Sequence, residues 1–302
     1  MSGISTNRSA IALPTDFQKQ VIQKMQGSSV IMRLATRSEI SGNGATIPVI
    51  TGDPEAAWIA ETGQKPVSNP SLSYKVLQPY KLAVLVPFSD EFRRDLNALY
   101  NEIVNRLPGA LALKFDETVI GKVEKPGENF DSFSLCTAQS LIAADSHTAY
   151  KGLVNAYTDI ADHGGSLNGF AISPTGKGIL LDSVDSTGRP IFIPSVTDGG
   201  IPMILGERVA EGRGVYKSGT AAVGSAAGTP AIVGVAGDWT KAIYGTVGGV
   251  KIDFADQATI TIASEQVNLF EHNMFAVRAE IEIGFRAVTD CFNVLTGATP
   301  SA

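Results

Sequence analysis

The sequence predicts an α+β protein in which one discontinuous domain, built from a long helix and a long strand far apart in the chain, carries a second block inserted between them. Three observations predict this. After Ser89, the apolar residues Phe92, Leu96, Leu99, Ile103 and Leu107 recur at helical spacing. Met274 to Val288 alternates strictly, with Phe275, Val277, Ala279, Ile281, Ile283 and Phe285 opposed by Arg278, Glu280, Glu282 and Arg286. A period of two over that length is a strand with one buried and one wet face. Between helix and strand, residues 135–250 are rich in Gly, Ser and Thr with short apolar runs, the composition of an α/β unit with connecting loops.

Residues 1–44 are polar, with one short amphipathic stretch at Phe17, Val21, Ile22 and Met25. Such a segment has little to bury by itself and reads as an arm that needs a neighbour to order it. Residues 45–86 form two extended runs around a tip rich in Gly, Pro, Asn and Ser, the pattern of a hairpin with a long loop. A lone hairpin is marginal in water, so this one must lie on its own subunit or on another. It bears Trp58, Glu61, Lys65, Tyr74 and Lys75, a mixture of aromatic and charged side chains suited to a contact surface. The competing reading is that Trp58 anchors the core of its own subunit, as large aromatic residues often do.

Residues 87–134 hold the helix. Ser89 is its expected N-cap, with Asp90 and Glu91 in the first turn where the dipole favours acids. Phe92, Leu96, Leu99, Ile103 and Leu107 are its expected core stripe. If it resumes after Pro108 and Gly109 through Leu111, Phe115, Val119 and Ile120, it runs about 32 residues, or roughly 48 Å. Pro108 lacks a backbone donor and is expected to kink or split it. In residues 135–250 a helix is expected over Ala149–Ala161, with short apolar runs at Gly169–Ser173, Ile191–Ile193, Met203–Leu205 and Ala231–Val235. Residues 251–302 contain Thr259–Ala263 and the long alternating strand, which return to pack with the helix.

Composition excludes several function classes. Charged residues are 18% of the chain, against roughly 25% in an average soluble protein. Thin charge cover fits a protein that buries much of its surface against copies of itself. The longest apolar run, Leu82 to Phe88, falls far short of the ~20 residues that cross a bilayer. No basic start followed by an apolar core marks a secretory signal. Cys136 and Cys291 are too far apart for a metal motif or a disulfide framework and read as buried thiols in a reducing compartment. A net charge of −6 argues against wrapping nucleic acid tightly, since that affinity comes from many Lys and Arg contacts to phosphate.

No catalytic signature is found, and neither cofactor nor metal is expected. Thr175-Gly176-Lys177-Gly178 lacks both the upstream glycine and the Ser or Thr of a phosphate loop. Gly224 to Gly228 does not make a dinucleotide fingerprint, and no nucleophile elbow exists. Asp159 and His163, four apart with Asp162 beside them, could set two ligands on one helix face. A histidine just before Gly164 and Gly165 is equally a favourable residue at a helix C-terminus.

One succession of residues carries a family resemblance. Ala57-Trp58-Ile59-Ala60-Glu61, Lys65-Pro66, Val76, Pro79, Lys81-Leu82-Ala83, Val86, Ser89, Glu91-Phe92 and Asp95 come first. Ile172-Ser173-Pro174, Leu180-Leu181-Asp182, Gly188-Arg189-Pro190, Leu205-Gly206, Gly237-Asp238-Trp239, Ile243-Tyr244-Gly245, Asn268 to Glu271, Asn273 and Arg278-Ala279-Glu280 follow in order. Over roughly residues 45–295 this chain resembles the major capsid proteins of tailed bacteriophages, the Hong Kong ninety-seven type of shell protein. The resemblance implies an N-terminal arm (1–44), an extended E-loop hairpin (45–86), a P-domain with a long spine helix (87–134), an inserted A-domain (135–250) and P-domain return strands with the C-terminus (251–302).

The function implied is structural. Copies would assemble through pentamers and hexamers into an icosahedral head in the virion, built in the host bacterial cytoplasm, without enzymatic activity or membrane. The head would enclose double-stranded DNA without sequence-specific binding. Separate scaffolding, portal and decoration proteins are the partners such a shell would use. In that frame Trp58, Glu61, Lys65, Tyr74 and Lys75 are expected to contact neighbouring subunits. Two departures stand out. Only about forty residues precede the E-loop, so the chain is either a processed form or works with a separate scaffold, which Met1 favours. Lys65 and Lys75 lie in the loop that supplies a crosslinking lysine in the type member, but neither its Asn partner nor the assisting Glu has a match, so no crosslink is expected. Two alternatives stay open at the level of sequence: an encapsulin-like nanocompartment shell, and a monomeric α/β enzyme using Asp159, Asp162 and His163.

Overall fold

The structure is a computed structural model that describes residues 15–50, 58–59, 72–91, 96–142, 148–184, 187–192, 203–222, 227–262 and 265–300. In chain order its elements are α1 (Thr15–Ser28), α2 (Val30–Leu34), β1 (Thr36–Glu39), β2 (Ala45–Ile50), β3 (Leu72–Leu77), β4 (Tyr80–Ser89), α3 (Leu96–Ile120) and β5 (Thr137–Ser140). They continue with α4 (Thr148–Asp162), β6 (Gly169–Ile172), α5 (Pro174–Leu181), β7 (Met203–Ile204), β8 (Glu207–Glu211) and β9 (Ile232–Gly237). The last are β10 (Ala242–Ala255), β11 (Thr259–Ile262), β12 (Glu265–Asn268), β13 (Met274–Ala287) and β14 (Phe292–Thr296).

The alternation of β13 does what period two dictates. Phe275, Val277, Ala279, Ile281, Ile283 and Phe285 are all buried, while Arg278 is exposed and Glu280 and Glu282 are half-buried. The sheet around it has the order β1-β10-β13-β4, with β1 parallel to β10 and the rest antiparallel. Its apolar face is covered by α3 through Leu107, Leu111, Phe115 and Val119. Phe115 makes edge contacts to Phe130, Tyr244 and Phe285 with centroids 6.1–6.5 Å apart. The helix continues through Pro108 to Ile120, so of the kink or split expected there the split does not occur. A proline inside a helix costs about 3 kcal/mol. Burying each of Leu107, Leu111, Phe115 and Val119 returns roughly 1.5–3 kcal/mol, which outweighs it.

Helix α3 is described from Leu96, and Ser89 lies at the end of strand β4, paired with Met274. The Asp90 amide continues the ladder to the Asn273 carbonyl at 2.9 Å. Ser89 serves as both strand end and cap: it closes the ladder with β13, and its hydroxyl accepts from the Glu91 amide at 3.4 Å where Asp90 and Glu91 enter a 3-10 turn. The segment read as an arm is also different from Thr15 onward. Its amphipathic stripe finds a partner in its own subunit: α1 packs on α3 and buries Val21 and Met25, while Val30, Ile31 and Leu34 of α2 enter the same core.

The second sheet has the order β5-β14-β9-β6-β8-β7. Helix α4 lies on it through Leu153, Ala156 and Ile160, with Phe170, Leu180, Val233 and Leu295 in the same cluster. Ser173 caps α5, its hydroxyl accepting from the Gly176 amide, and Pro174 occupies the first turn. The sheets do not follow the expected segment boundaries. β14 lies in the six-stranded sheet between β5 and β9, not with the return strands of 251–302; β10, which starts within 135–250, belongs to the four-stranded sheet; and β4, expected within the hairpin of 45–86, is the edge strand of that same sheet, because its backbone pairs with β13. Phe133 of the first core links the two sheets, stacking on Phe292 of β14 at 4.6 Å and meeting Phe285 of β13 and Trp239 edge-on.

Candidate functional site

The hairpin β2–β3 is antiparallel, pairing Thr46 with Val76, Ile47 with Lys75 and Pro48 with Tyr74. Alternation therefore gives it two faces. On one, Leu77 is fully buried. Its socket is made by two glycines paired across β10 and β13, Gly245 and Gly284. A Cβ on Gly245 would lie 2.8 Å from a Leu77 methyl, and one on Gly284 would lie 2.4 Å from the Gln78 carbonyl. Glycine at both positions is what lets the hairpin base seat on the sheet. Gly44, at φ +82°, also lies under the Leu77 carbonyl, where a Cβ would come within 2.6 Å. On the other face Thr46, Pro48, Tyr74 and Val76 are exposed, Tyr74 at 67%.

Polar ties surround the base. Arg286 donates from Nε to the Val76 carbonyl (2.8 Å), from Nη1 to Asp131 Oδ1 (2.8 Å) and from Nη2 to Asn129 Oδ1 (3.1 Å). Lys75 donates from Nζ to the Ala287 carbonyl (2.6 Å) and to Asp131 Oδ2 (3.3 Å), which also accepts from the Ala287 amide (3.1 Å). Asn129 Nδ2 donates to Gln78 Oε1 at 3.0 Å.

Among the expected contact residues, Trp58 is fully exposed and so does not anchor the core of its own subunit. Tyr74 is exposed on the outer face, whereas the Lys75 ammonium is engaged within its own subunit. Glu61 and Lys65 lie outside the described residues, as does Phe92 of the expected stripe. Leu96, Leu99 and Ile103 lie on α3, and Leu107 is buried in the core. Sequence reasoning missed Asp131, Asn129 and Arg286, because their meeting joins residues about 155 positions apart. It also missed Asp116, which is buried on α3 and accepts from the Ser29 hydroxyl and the Val30 amide. The available signal was its place between Ala112 and Ile120 at four-residue spacing on the apolar face.

The candidates for chemistry resolve into structural roles. The His163 ring is exposed, with Nδ1 bonded to the Asp159 carbonyl at 2.8 Å beyond the end of α4, a bond that raises its pKa. Among the described residues no cluster of three or more potential metal ligands occurs. Thr175 to Gly178 lies inside helix α5, and Lys177 pairs with Glu211 at 2.8 Å. A cavity of about 430 Å³ lined by Asp131, Cys136, His163 and Asp290 contains a thiol, but burial, with Asp290 and Asp131 adding, pushes Cys136 up to about 12. Cys136 is half-buried, not buried like Cys291. On the outer face of the four-stranded sheet the charges are paired, Arg278 to Asp253 at 2.8 Å and to Glu280 at 3.3 Å, so no basic patch forms there.

Residues 10–296 match the phage capsid family. The chain is 30% identical over 272 residues to the probable major capsid protein gp17 of Mycobacterium phage L5, covering 85% of this chain and 80% of that protein. It is 22% identical over 289 residues to the major capsid protein of Staphylococcus phage 80alpha, covering 92% of this chain and 82% of that protein. Its fold is similar to a solved structure from Gordonia phage Cozz, with a TM-score of 0.68 and 22% identity over 90% of this chain and 87% of that one. A second similar structure is the capsid of an empty GTA particle, with a TM-score of 0.61 and 12% identity over 90% of each chain.

Proposed function

This chain belongs to the phage capsid family and is a structural subunit that self-associates into a shell of the virion; from that premise we propose that the hairpin based on β2 and β3, within the segment 45–86, is the E-loop through which one subunit grips the next. The observation that carries this reading is the division of the hairpin's faces. Leu77 plugs its base into its own subunit, while Pro48, Tyr74 and Val76 remain exposed on the opposite face with Trp58 beyond them. Aromatic side chains left in water on a projecting element are the anchors of a contact to be made.

Assembly is then a modest binding free energy repeated over many copies and closed by symmetry. The rings are pentamers and hexamers of an icosahedral head that is put together in the host cytoplasm and encloses double-stranded DNA without sequence-specific binding. The negative charge of the subunit and its paired surface charges keep it from adsorbing the duplex. Scaffolding, portal and decoration proteins are its expected companions. The nanocompartment and enzyme alternatives lose their footing, since the similar proteins are capsid proteins and Asp159, Asp162 and His163 gather no metal-ligand cluster.

Negative-stain microscopy of the expressed protein, with size-exclusion chromatography, tests the assembly. Closed shells are expected, and a monomer across a range of salt and concentration would overturn the reading. Trp58→Ala should reduce the assembled fraction while leaving the melting temperature of the dissociated subunit within about 2 °C. Equal loss of both would return Trp58 to a role in its own subunit.

A further inference from the structure

We infer that Asp131 is a positioning residue for assembly: by holding Arg286 and Lys75 together, it sets the angle at which the hairpin stands on the four-stranded sheet and hence where its outer face meets a neighbouring subunit. This rests on the E-loop reading and names what controls it.

The hairpin joins the body by two short legs, the turn ending at Gly44 and the pair Gln78-Pro79. Leu77 fixes a point of attachment, but one plug leaves rotation about itself. Three ties oppose that rotation, from Arg286 to the Val76 carbonyl, from Lys75 to the Ala287 carbonyl and from Asn129 to Gln78. Asp131 organises the two cationic ones. Its Oδ1 accepts from Arg286 and its Oδ2 from Lys75 and the Ala287 amide, so one carboxylate orients two cations that would otherwise repel. The groups are largely shielded, with 13% of the Arg286 side chain and 17% of the Asp131 side chain exposed, which limits screening by salt.

Small rotations at the base matter. Six residues of strand span about 17 Å, so a tilt of about 10° moves the far end of β3 by roughly 3 Å. Interfaces packed as densely as protein interiors do not absorb a displacement of that size.

The test uses Asp131→Asn in the full chain, which keeps shape and an acceptor oxygen but removes the charge. Hydrogen exchange of the amides of residues 72–77 should rise about tenfold in the dissociated subunit, while exchange in α3 and β13 stays as in the wild type. The yield of closed shells should fall about tenfold, and Asp131→Glu should restore part of it. If Asp131→Asn fails to fold, Arg286→Lys serves instead, since an ammonium cannot span Val76, Asn129 and Asp131 together. Unchanged exchange at 72–77, or unchanged shell yield, in the folded variant would overturn the inference. Tyr74→Ser separates the two levels. If it blocks assembly while Asp131→Asn assembles normally, the E-loop reading stands and the positioning role is refuted; if both variants assemble normally, the E-loop reading itself fails.

Discussion

Replacing Asp116 with Asn should flatten the pH dependence of subunit stability between about pH 4 and pH 7. Asp116 projects from α3 with only 2% of its surface exposed. It accepts from Ser29 Oγ at 2.5 Å and from the Val30 and Ile31 amides at 2.9 and 3.4 Å, so it ties the start of α2 to the spine helix. The 3-10 turn at Arg213–Val215 closes over it, and Gly214 is needed there, because a Cβ would fall 2.5 Å from that of Asp116. Burial lifts the carboxyl from 3.8 to about 7, against the pull of the hydrogen bonds from Ser29, Val30 and Ile31. The folded value lies above the unfolded one, which fixes the sign. Below about pH 4 both states hold the proton and the stabilisation is complete. As pH rises the unfolded chain releases it first, and stability is lost until the folded carboxyl ionises near pH 7. A gap of about three pH units corresponds to something on the order of 4 kcal/mol. Urea unfolding of dissociated wild-type and Asp116→Asn subunits across this window measures it, since other titrating groups cancel in the difference. The advantage of the wild type should shrink by up to about 1.4 kcal/mol per pH unit. A difference independent of pH would refute the reasoning.

Two further outcomes follow from burial. Leu107→Ala, which empties a site with 2% exposure beneath α3, should cost roughly 2–5 kcal/mol in urea unfolding; a loss under about 1 kcal/mol would mean the stripe is not packed as described. Cys136, pushed up to about 12, should react with iodoacetamide at about pH 8 roughly a thousandfold slower in the folded subunit than in the unfolded chain. Labelling at the unfolded rate would contradict that environment.

Local pattern made much of this fold legible. The strict alternation of β13 survives because period two is set by the backbone alone, and α4 begins and ends within one residue of the expected Ala149–Ala161. The paired runs at 45–50 and 72–77 were legible as a hairpin for the same reason. By contrast, Ser89 has the chemistry of a helix start, and its hydroxyl does accept from the Glu91 amide, but it also ends β4, because its ladder partner lies beyond residue 272. Ser173-Pro174 has the chemistry of a helix start, but Gly176 and Gly178 just after it weaken the local helical pattern, and α5 forms because Leu180 is buried against the second sheet.

The sequence by itself determined the kind of elements, their order and, through a collinear run of residues, the family. Which sheet each strand joins was decided only in three dimensions. β14 leaves the return strands for the six-stranded sheet, and β1 from the arm joins the four-stranded one. The same holds for Asp116, which meets residue 29 across 87 positions, and for the cluster at Asp131, which gathers Lys75 and Arg286 from both ends of the chain. Periodicity records only which face of an element is buried. The partner that buries it is chosen by shape and hydrogen bonding between segments far apart in the chain, which no local pattern encodes.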